Sequence, residues 1–266
     1  NFPRFKAKGK KDSCRFPQGF KSDQNNSRIY LPKIGWVRYR NSRKIIGTIK
    51  NVTVTAKCGK WYVSIQTEYE QETPVHSGSD IGIDMGIVRF ATLSDGRYFE
   101  PINAFHSPKG RLAKLQKRLK RKTKGSSNWK KLVAKIGKLH HRIANIRKNF
   151  LHQISNTISK NHATVYVEDL QVKNMSKSAK GTKENPGKMV KQKSGLNRAI
   201  LDQAWYEFRR QLEYKLRWRG GQLILVAPQY TSQCCPACGH TAKENRTTQA
   251  LFACVQCGYS NNADVV

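Results

Sequence analysis

Two short cysteine pairs place the tightest constraint on this chain. Cys235-Pro-Ala-Cys238-Gly and Cys254-Val-Gln-Cys257-Gly repeat one C-x-x-C-G pattern, with fifteen residues between Cys238 and Cys254. A tetrahedral ion takes two sulfurs from each such turn, so both pairs must close on one metal. The glycine after each second cysteine lets backbone N–H groups approach the sulfur. The spacing predicts a four-thiolate structural zinc ribbon held by Cys235, Cys238, Cys254 and Cys257, against the alternative of two redox pairs or free thiols. Cys234 stands next to Cys235 and could substitute for it, although Cys235 closes the usual C-x-x-C turn. His240 reads as a bystander. Five of the seven cysteines lie in this region. An odd, clustered set fits a reducing cytosol better than a secreted disulfide framework.

The charge balance points to a partner. Lys and Arg number 50 against 17 Asp and Glu, a formal net charge of +33 over 266 residues. Solubility needs far less, so a polyanion is expected, with nucleic acid ahead of an anionic membrane. No apolar run is long enough to span a bilayer, and the N-terminus carries no secretory signal. Residues 101–167 contain 17 Lys and Arg and no acid at all. Leu112, Leu115 and Leu119, then Leu132, Ile136, Leu139, Ile143 and Ile146, recur there at helical spacing around a break at 125–128. This predicts a pair of basic amphipathic helices over 107–160. Solvated faces normally mix signs, so this one is expected to track phosphates.

The remaining pattern is mixed α/β. Residues 1–76 read mostly as strands, with short strands at Ile29–Leu31 and Trp36–Tyr39. A hairpin at 51–69 turns at Cys58-Gly59, and a partial β-barrel is expected. Three strands follow at Ile81–Asp84, Arg89–Leu93 and Arg97–Glu100, with Asp95-Gly96 as a tight turn. A strand over 163–170, a mobile loop over 172–195, one long helix over 196–220 and a buried strand over 222–228 complete the order. Asp264 is expected to open a last helix.

Three strands, helix, strand, helix, strand, helix is the element order of the RNase H fold. In that fold the first strand, the fourth strand and the last helix each deliver a carboxylate. Here these are Asp84, Glu168 and Asp264, a set able to hold two Mg²⁺ about 4 Å apart for phosphodiester hydrolysis. Alone, an Asp at a strand end also serves as a cap, a turn former or an ion-pair partner. Glu168 and Asp169 point to opposite faces of a strand, and Glu168 shares the face of Tyr166.

Seven stretches together resemble one family: PRFKAKGKKDSCRF at 3–16, GIDMGI at 82–87, VYVEDL at 165–170, LNRAILDQAWYEFRRQLEYKLRWRGG at 196–221, APQYTSQCCPACGH at 227–240, CVQCGY at 254–259 and NADV at 262–265. The chain resembles the TnpB (OrfB) proteins of bacterial insertion sequences, relatives of the type V CRISPR effectors, over nearly its whole length. The resemblance implies a wedge-type partial β-barrel at 1–76. It implies a RuvC-like nuclease core at 77–230, a zinc ribbon at 231–260 and a truncated final RuvC segment at 261–266. It implies a cytoplasmic RNA-guided DNA endonuclease, also described as a transposase, that uses a guide RNA, Mg²⁺ and structural zinc on target DNA. Asp84, Glu168 and Asp264 fall on the family's three RuvC acids, and Cys235, Cys238, Cys254 and Cys257 on its zinc ligands.

Family members carry further N-terminal residues, and Val266 stands where an Asn is common. The chain, which begins Asn1-Phe2-Pro3 without Met, reads as a piece cut at both ends. The alternative functions are a catalytically silent, guide-dependent nucleic-acid-binding protein and a strand-transfer transposase.

Overall fold

The computed structural model describes residues 12–228, 233–246, 248 and 251–262. The chain divides into two compact units, Asn1–Glu72 with Leu115–His141, and Thr73–Lys114 with Arg142–Val266.

In the first unit, β1 (Ser13–Phe16) precedes β2 (Lys21–Asp23), β3 (Arg28–Leu31), β4 (Gly35–Arg38), β5 (Thr48–Lys57) and β6 (Lys60–Glu68). Where the sequence predicted a partial β-barrel, the described residues form two three-stranded antiparallel sheets, β1-β5-β6 and β2-β3-β4. Their inner faces share a core of Ile29, Leu31 and Val52. β5 and β6 meet at Cys58-Gly59, whose φ values of 53° and 78° are those a two-residue hairpin turn of this hand demands. The hairpin leans on the helical segment of the same unit, where Cys58 Sγ donates to the Gly137 carbonyl at 3.4 Å and Tyr62 meets His141 at 3.0 Å.

The basic helices are α1 (Lys109–Lys120) and α2 (Ser127–Asn161), separated by residues 121–126, which overlap the break expected at 125–128 only at Gly125 and Ser126.

The second unit is built on one five-stranded sheet, from β7 (Ser79–Asp84), β8 (Ala91–Leu93), β9 (Tyr98–Phe99), β10 (His162–Glu168) and β11 (Gln222–Val226). The strand order is β11-β10-β7-β8-β9, with β7, β10 and β11 parallel and β8 and β9 antiparallel to their neighbours. Ile81 and Ile83 on β7, and Val165 and Val167 on β10, alternate with polar or small residues and share one core. Leu151, Ile154 and Ile158 of α2 cover that face together with Phe208, Leu212 and Leu216 of a later helix. Phe90 sits between Phe150 and Phe208, edge to face with ring centroids 5.1 and 5.0 Å away. Each such fully buried side chain contributes roughly 1.5–3 kcal/mol.

Two expectations are corrected here. The stretch 172–195 is not wholly loop. It opens with α3 (Val172–Met175), and α4 (Val190–Gln203) starts inside it. Lys193 Nζ donates to the Met175 carbonyl at 2.7 Å, and Asn197 Nδ2 to the Ser176 carbonyl at 2.9 Å. Nor is 196–220 one helix. Ala204, at φ 56° and ψ 43°, separates α4 from α5 (Trp205–Trp218) and caps α5 by accepting from the N–H groups of Glu207 and Phe208. The break lets Gln203 and Trp205, on either side of it, both be buried.

Among the described residues no helix is long and apolar enough to cross a membrane.

Candidate functional site

Topology locates the site. From β7 the chain passes to β8 on one side, then returns to β10 on the other. The carboxyl ends of β7 and β10 therefore flank a topological switch point, where open α/β sheets form their ligand crevice. Asp84 is the last residue of β7 and Glu168 the last of β10. Val167 pairs with Ile83, which makes Asp84 and Glu168 the next residues on adjacent strands. Side chains alternate along a strand, so with Ile83 and Val167 in the core both carboxylates stand on the opposite face, with Tyr166. Asp84 is exposed and Glu168 half-buried. The turn after Asp84 needs glycine at 86, since a Cβ there would lie 2.8 Å from the Arg89 carbonyl oxygen. The third predicted acid, Asp264, lies outside the described residues.

A cleft of about 560 Å³ opens beside Glu168, lined also by Asp169, Lys173, Trp205, Tyr206 and Arg209. Asp169 takes a different role from its neighbour. Its carboxylate pairs with the Arg209 guanidinium and accepts from Gln171 Nε2 at 3.3 Å. Tyr206 and Arg209 escaped the sequence reading, which treated the whole stretch as helix packing. Their signal is positional, because both lie in the first turns of a helix that starts at the carboxyl edge of β10.

The cysteine cluster is a second site. The sulfurs of Cys235, Cys238, Cys254 and Cys257 all lie within 4.8 Å of one another. Cys235 and Cys257 are 3.5 Å apart, and Cys238 and Cys254 3.6 Å. Tetrahedral Zn–S bonds of ~2.3 Å require sulfurs ~3.8 Å apart, so the donor set fits a zinc ion. Cys234 is outside the set, with its thiol toward the Gly239 carbonyl at 3.6 Å.

The two knuckles are near copies. Gly239 N–H donates to the Cys235 carbonyl at 2.8 Å and Gly258 N–H to that of Cys254 at 3.0 Å. Cys235 N–H reaches the His240 carbonyl at 2.9 Å and Cys254 N–H that of Tyr259 at 2.8 Å. Gly239 and Gly258 share a φ of 73°, which favours glycine at both. The second knuckle sits within a hairpin of β12 (Leu251–Ala253) and β13 (Ser260–Asn262). Fully buried Asn245 links the knuckles: its Nδ2 donates to the carbonyls of Gln233 and His240, and its Oδ1 accepts from Val255 N–H at 3.0 Å.

Burial resists ionisation of Cys254, but the N–H groups of Cys257 and Gln256 and the thiols of Cys257 and Cys238 pull it down to about 6. The His240 N–H favours the Cys238 anion, yet burial and the three neighbouring sulfurs outweigh it and push Cys238 up to about 12.

In the first unit, Arg118, Arg121, Lys122, Lys131 and Lys135 surround a cleft of about 470 Å³ where α1 meets α2. Five cations around one hollow, without an acid on either helix segment, suit a phosphate backbone.

The family model OrfB_IS605, described as "Probable transposase", matches residues 64–179, and one described as "Cas12f1-like, TNB domain" matches residues 205–266. An Escherichia coli K12 protein named "Putative RNA-guided DNA endonuclease InsQ" is 60% identical over 99% of this chain and 66% of its own length. A Streptomyces pristinaespiralis protein carrying the same endonuclease name is 30% identical over 99% of this chain and 63% of its own. The chain thus spans about two thirds of the length of these relatives. A solved Cas12f1–sgRNA–target DNA complex shares the fold, at a TM-score of 0.53 and 18% identity over 82% of this chain and 44% of that one. The chain belongs to the OrfB (TnpB) family of insertion-sequence proteins, the family its acid and cysteine stretches resemble.

Proposed function

We propose that the protein to which this chain belongs is an RNA-guided DNA endonuclease whose cleavage centre is built by Asp84, Glu168 and Asp264. The observation that carries this reading is the adjacency of Asp84 and Glu168 at the carboxyl ends of β7 and β10. The sheet order β9-β8-β7-β10-β11 supports an RNase H-like, RuvC-type core over 77–230. The two sheets of the first unit stand for the wedge-type barrel, and 231–260 for a ribbon around structural zinc. Guide RNA and target DNA are the partners, in a cytoplasmic setting, and the basic cleft of α1 and α2 is a phosphate contact for them.

The chain's own residues set up the chemistry. Asp84 and Glu168 are held by backbone ladders and need no reorganisation to present two anionic groups side by side. In a protein this cationic, fixed carboxylates are what retains divalent metal beside a phosphodiester. Asp84, Glu168 and Asp264 would hold magnesium, which would supply Lewis-acid activation of water and charge neutralisation at the leaving oxygen. The cleft cation Lys173 draws the strand toward the acids.

The test uses the complete protein purified with its guide RNA and a guide-matched DNA. Cleavage that requires Mg²⁺, stops in EDTA and is lost in Asp84→Ala supports the reading. Tight, guide-dependent binding without cleavage, unchanged in Asp84→Ala, would make the protein a silent binder and the acid structural.

A further inference from the structure

α5 presents two unlike faces. One side, with Phe208, Leu212 and Leu216, packs on the sheet. The other carries Tyr206, Arg210, Tyr214 and Trp218, each four residues after the last. Tyr206 is 69% exposed and Trp218 59%. The Arg210 guanidinium lies 5.6 Å from the Tyr214 ring centroid, and the Tyr214 and Trp218 rings meet edge to face at 4.7 Å. Among the described residues, α5 packs on the sheet through its other side.

We propose that Tyr206, Arg210, Tyr214 and Trp218 form a stacking track that carries single-stranded DNA along α5 into the cleft at Glu168. This deepens the nuclease reading and rests on it. Three observations converge. The track is continuous with the site, because Tyr206 lines the same cleft as Glu168. Its rungs are spaced by four residues of helix, about 6 Å, which matches the nucleotide spacing of an extended strand. Its chemistry suits bases, which stack on aromatic and guanidinium planes without regard to sequence. Glu207 forks onto Arg210 with both bonds at 2.8 Å, and Glu213 is exposed nearby. The track therefore offers flat surfaces more than net charge, and phosphate attraction comes from Lys173 at its end. Trp205, at the head of α5, lines the cleft too, and its buried indole N–H has no partner among the described residues.

The experiment uses the complete, guide-loaded protein in an Asp84→Ala background, so that nothing is cut. The probe is a fluorescent oligothymidine unrelated to the guide, at elevated salt, where phosphate contacts fade and stacking remains. Tyr214→Ala and Trp218→Ala are each expected to weaken binding by roughly 5- to 100-fold, while Tyr214→Phe and Trp218→Phe keep it. Unchanged melting temperatures verify that the exposed substitutions leave the fold intact. Binding equal to the parent in both alanine variants would overturn the proposal. So would a change in sedimentation without a change in strand binding, which would make this face a self-association surface. If the Asp84-intact protein never cleaves yet the alanine variants still lose the strand, the nuclease reading fails and the track stands.

Discussion

Asp84 and Glu168 close two adjacent parallel strands, each one residue beyond the Ile83–Val167 pair. Sheet register makes neighbours of residues 84 positions apart in sequence, and it separates Glu168 from Asp169. Glu168→Gln keeps the shape and removes the charge. Groups one step removed from a metal already cost 10- to 100-fold when lost, so on the proposed role of Glu168 as a ligand the variant is expected to lose more than roughly 100-fold in Mg²⁺-dependent cleavage, with DNA binding kept. Asp169→Asn weakens a half-exposed pair with Arg209 and is expected to cost about 1 kcal/mol or less of stability. Magnesium titrations of both variants check the contrast. Equal loss in the two would refute it.

Asn245 is expected to set how firmly the ribbon holds its ion. Its amide satisfies two carbonyls and one N–H between the two knuckles from a fully buried position. Asn245→Ala leaves those groups unpaired, at ~1–3 kcal/mol for each that stays buried. Zinc should leave the variant faster than the parent in a competition with a chromophoric chelator. An identical release rate would show that the four thiolates hold the ribbon unaided.

What was legible in the sequence is what local chemistry dictates. The hairpin at 58–59 is announced by Gly59, which accepts positive φ, between two alternating strands. The knuckles announce themselves because two sulfurs on one tight turn need that spacing. The break at Ala204 was illegible for the opposite reason. Alanine is the best helix former, and a left-handed alanine costs roughly 1–2 kcal/mol, so burial of Gln203 and Trp205 must impose it from outside. Asn245 and Asp202 were equally silent, since a buried polar residue looks like any other until its partners are in place. Asp84 and Glu168 fall between these cases. Their strands were readable from alternation, but their adjacency depends on which strand the chain returns to.

Asp202 is a structural acid. It pairs with Arg147 of α2 and accepts from Phe105 N–H at 3.1 Å, joining α4, α2 and the segment before α1 within the second unit. Its side chain is 9% exposed. Asp202→Ala removes the anion and leaves a partly buried guanidinium and a peptide N–H without it, which is expected to cost about 3 kcal/mol. Asp202→Asn can still accept from Phe105 and should cost less. Urea unfolding of the two variants gives the order, and equal midpoints would mean that the ion pair, not the hydrogen bond, carries the whole effect.

Lys215 gives the fold a pH dependence of unusual sign. Its Nζ is buried between α5 and α2, where it donates to the His152 carbonyl at 2.8 Å and to Ser155 Oγ at 2.7 Å. Burial first, and the Arg219 charge second, lower it from 10.5 to about 8. The unfolded chain therefore binds a proton that the folded chain has shed across the window from about 8 to 10.5. Stability rises with pH wherever the unfolded state holds more protons. The penalty for the buried charge is thus fully present below pH 8 and is relieved as pH climbs through the window. Lys215→Met fills the space without a charge and removes this contribution. Melting temperature should climb more steeply from pH 8 to pH 10 in the parent than in Lys215→Met, measured side by side so that other titrating groups cancel. Parallel curves would show that the folded protein hydrates this amine and never carries the penalty.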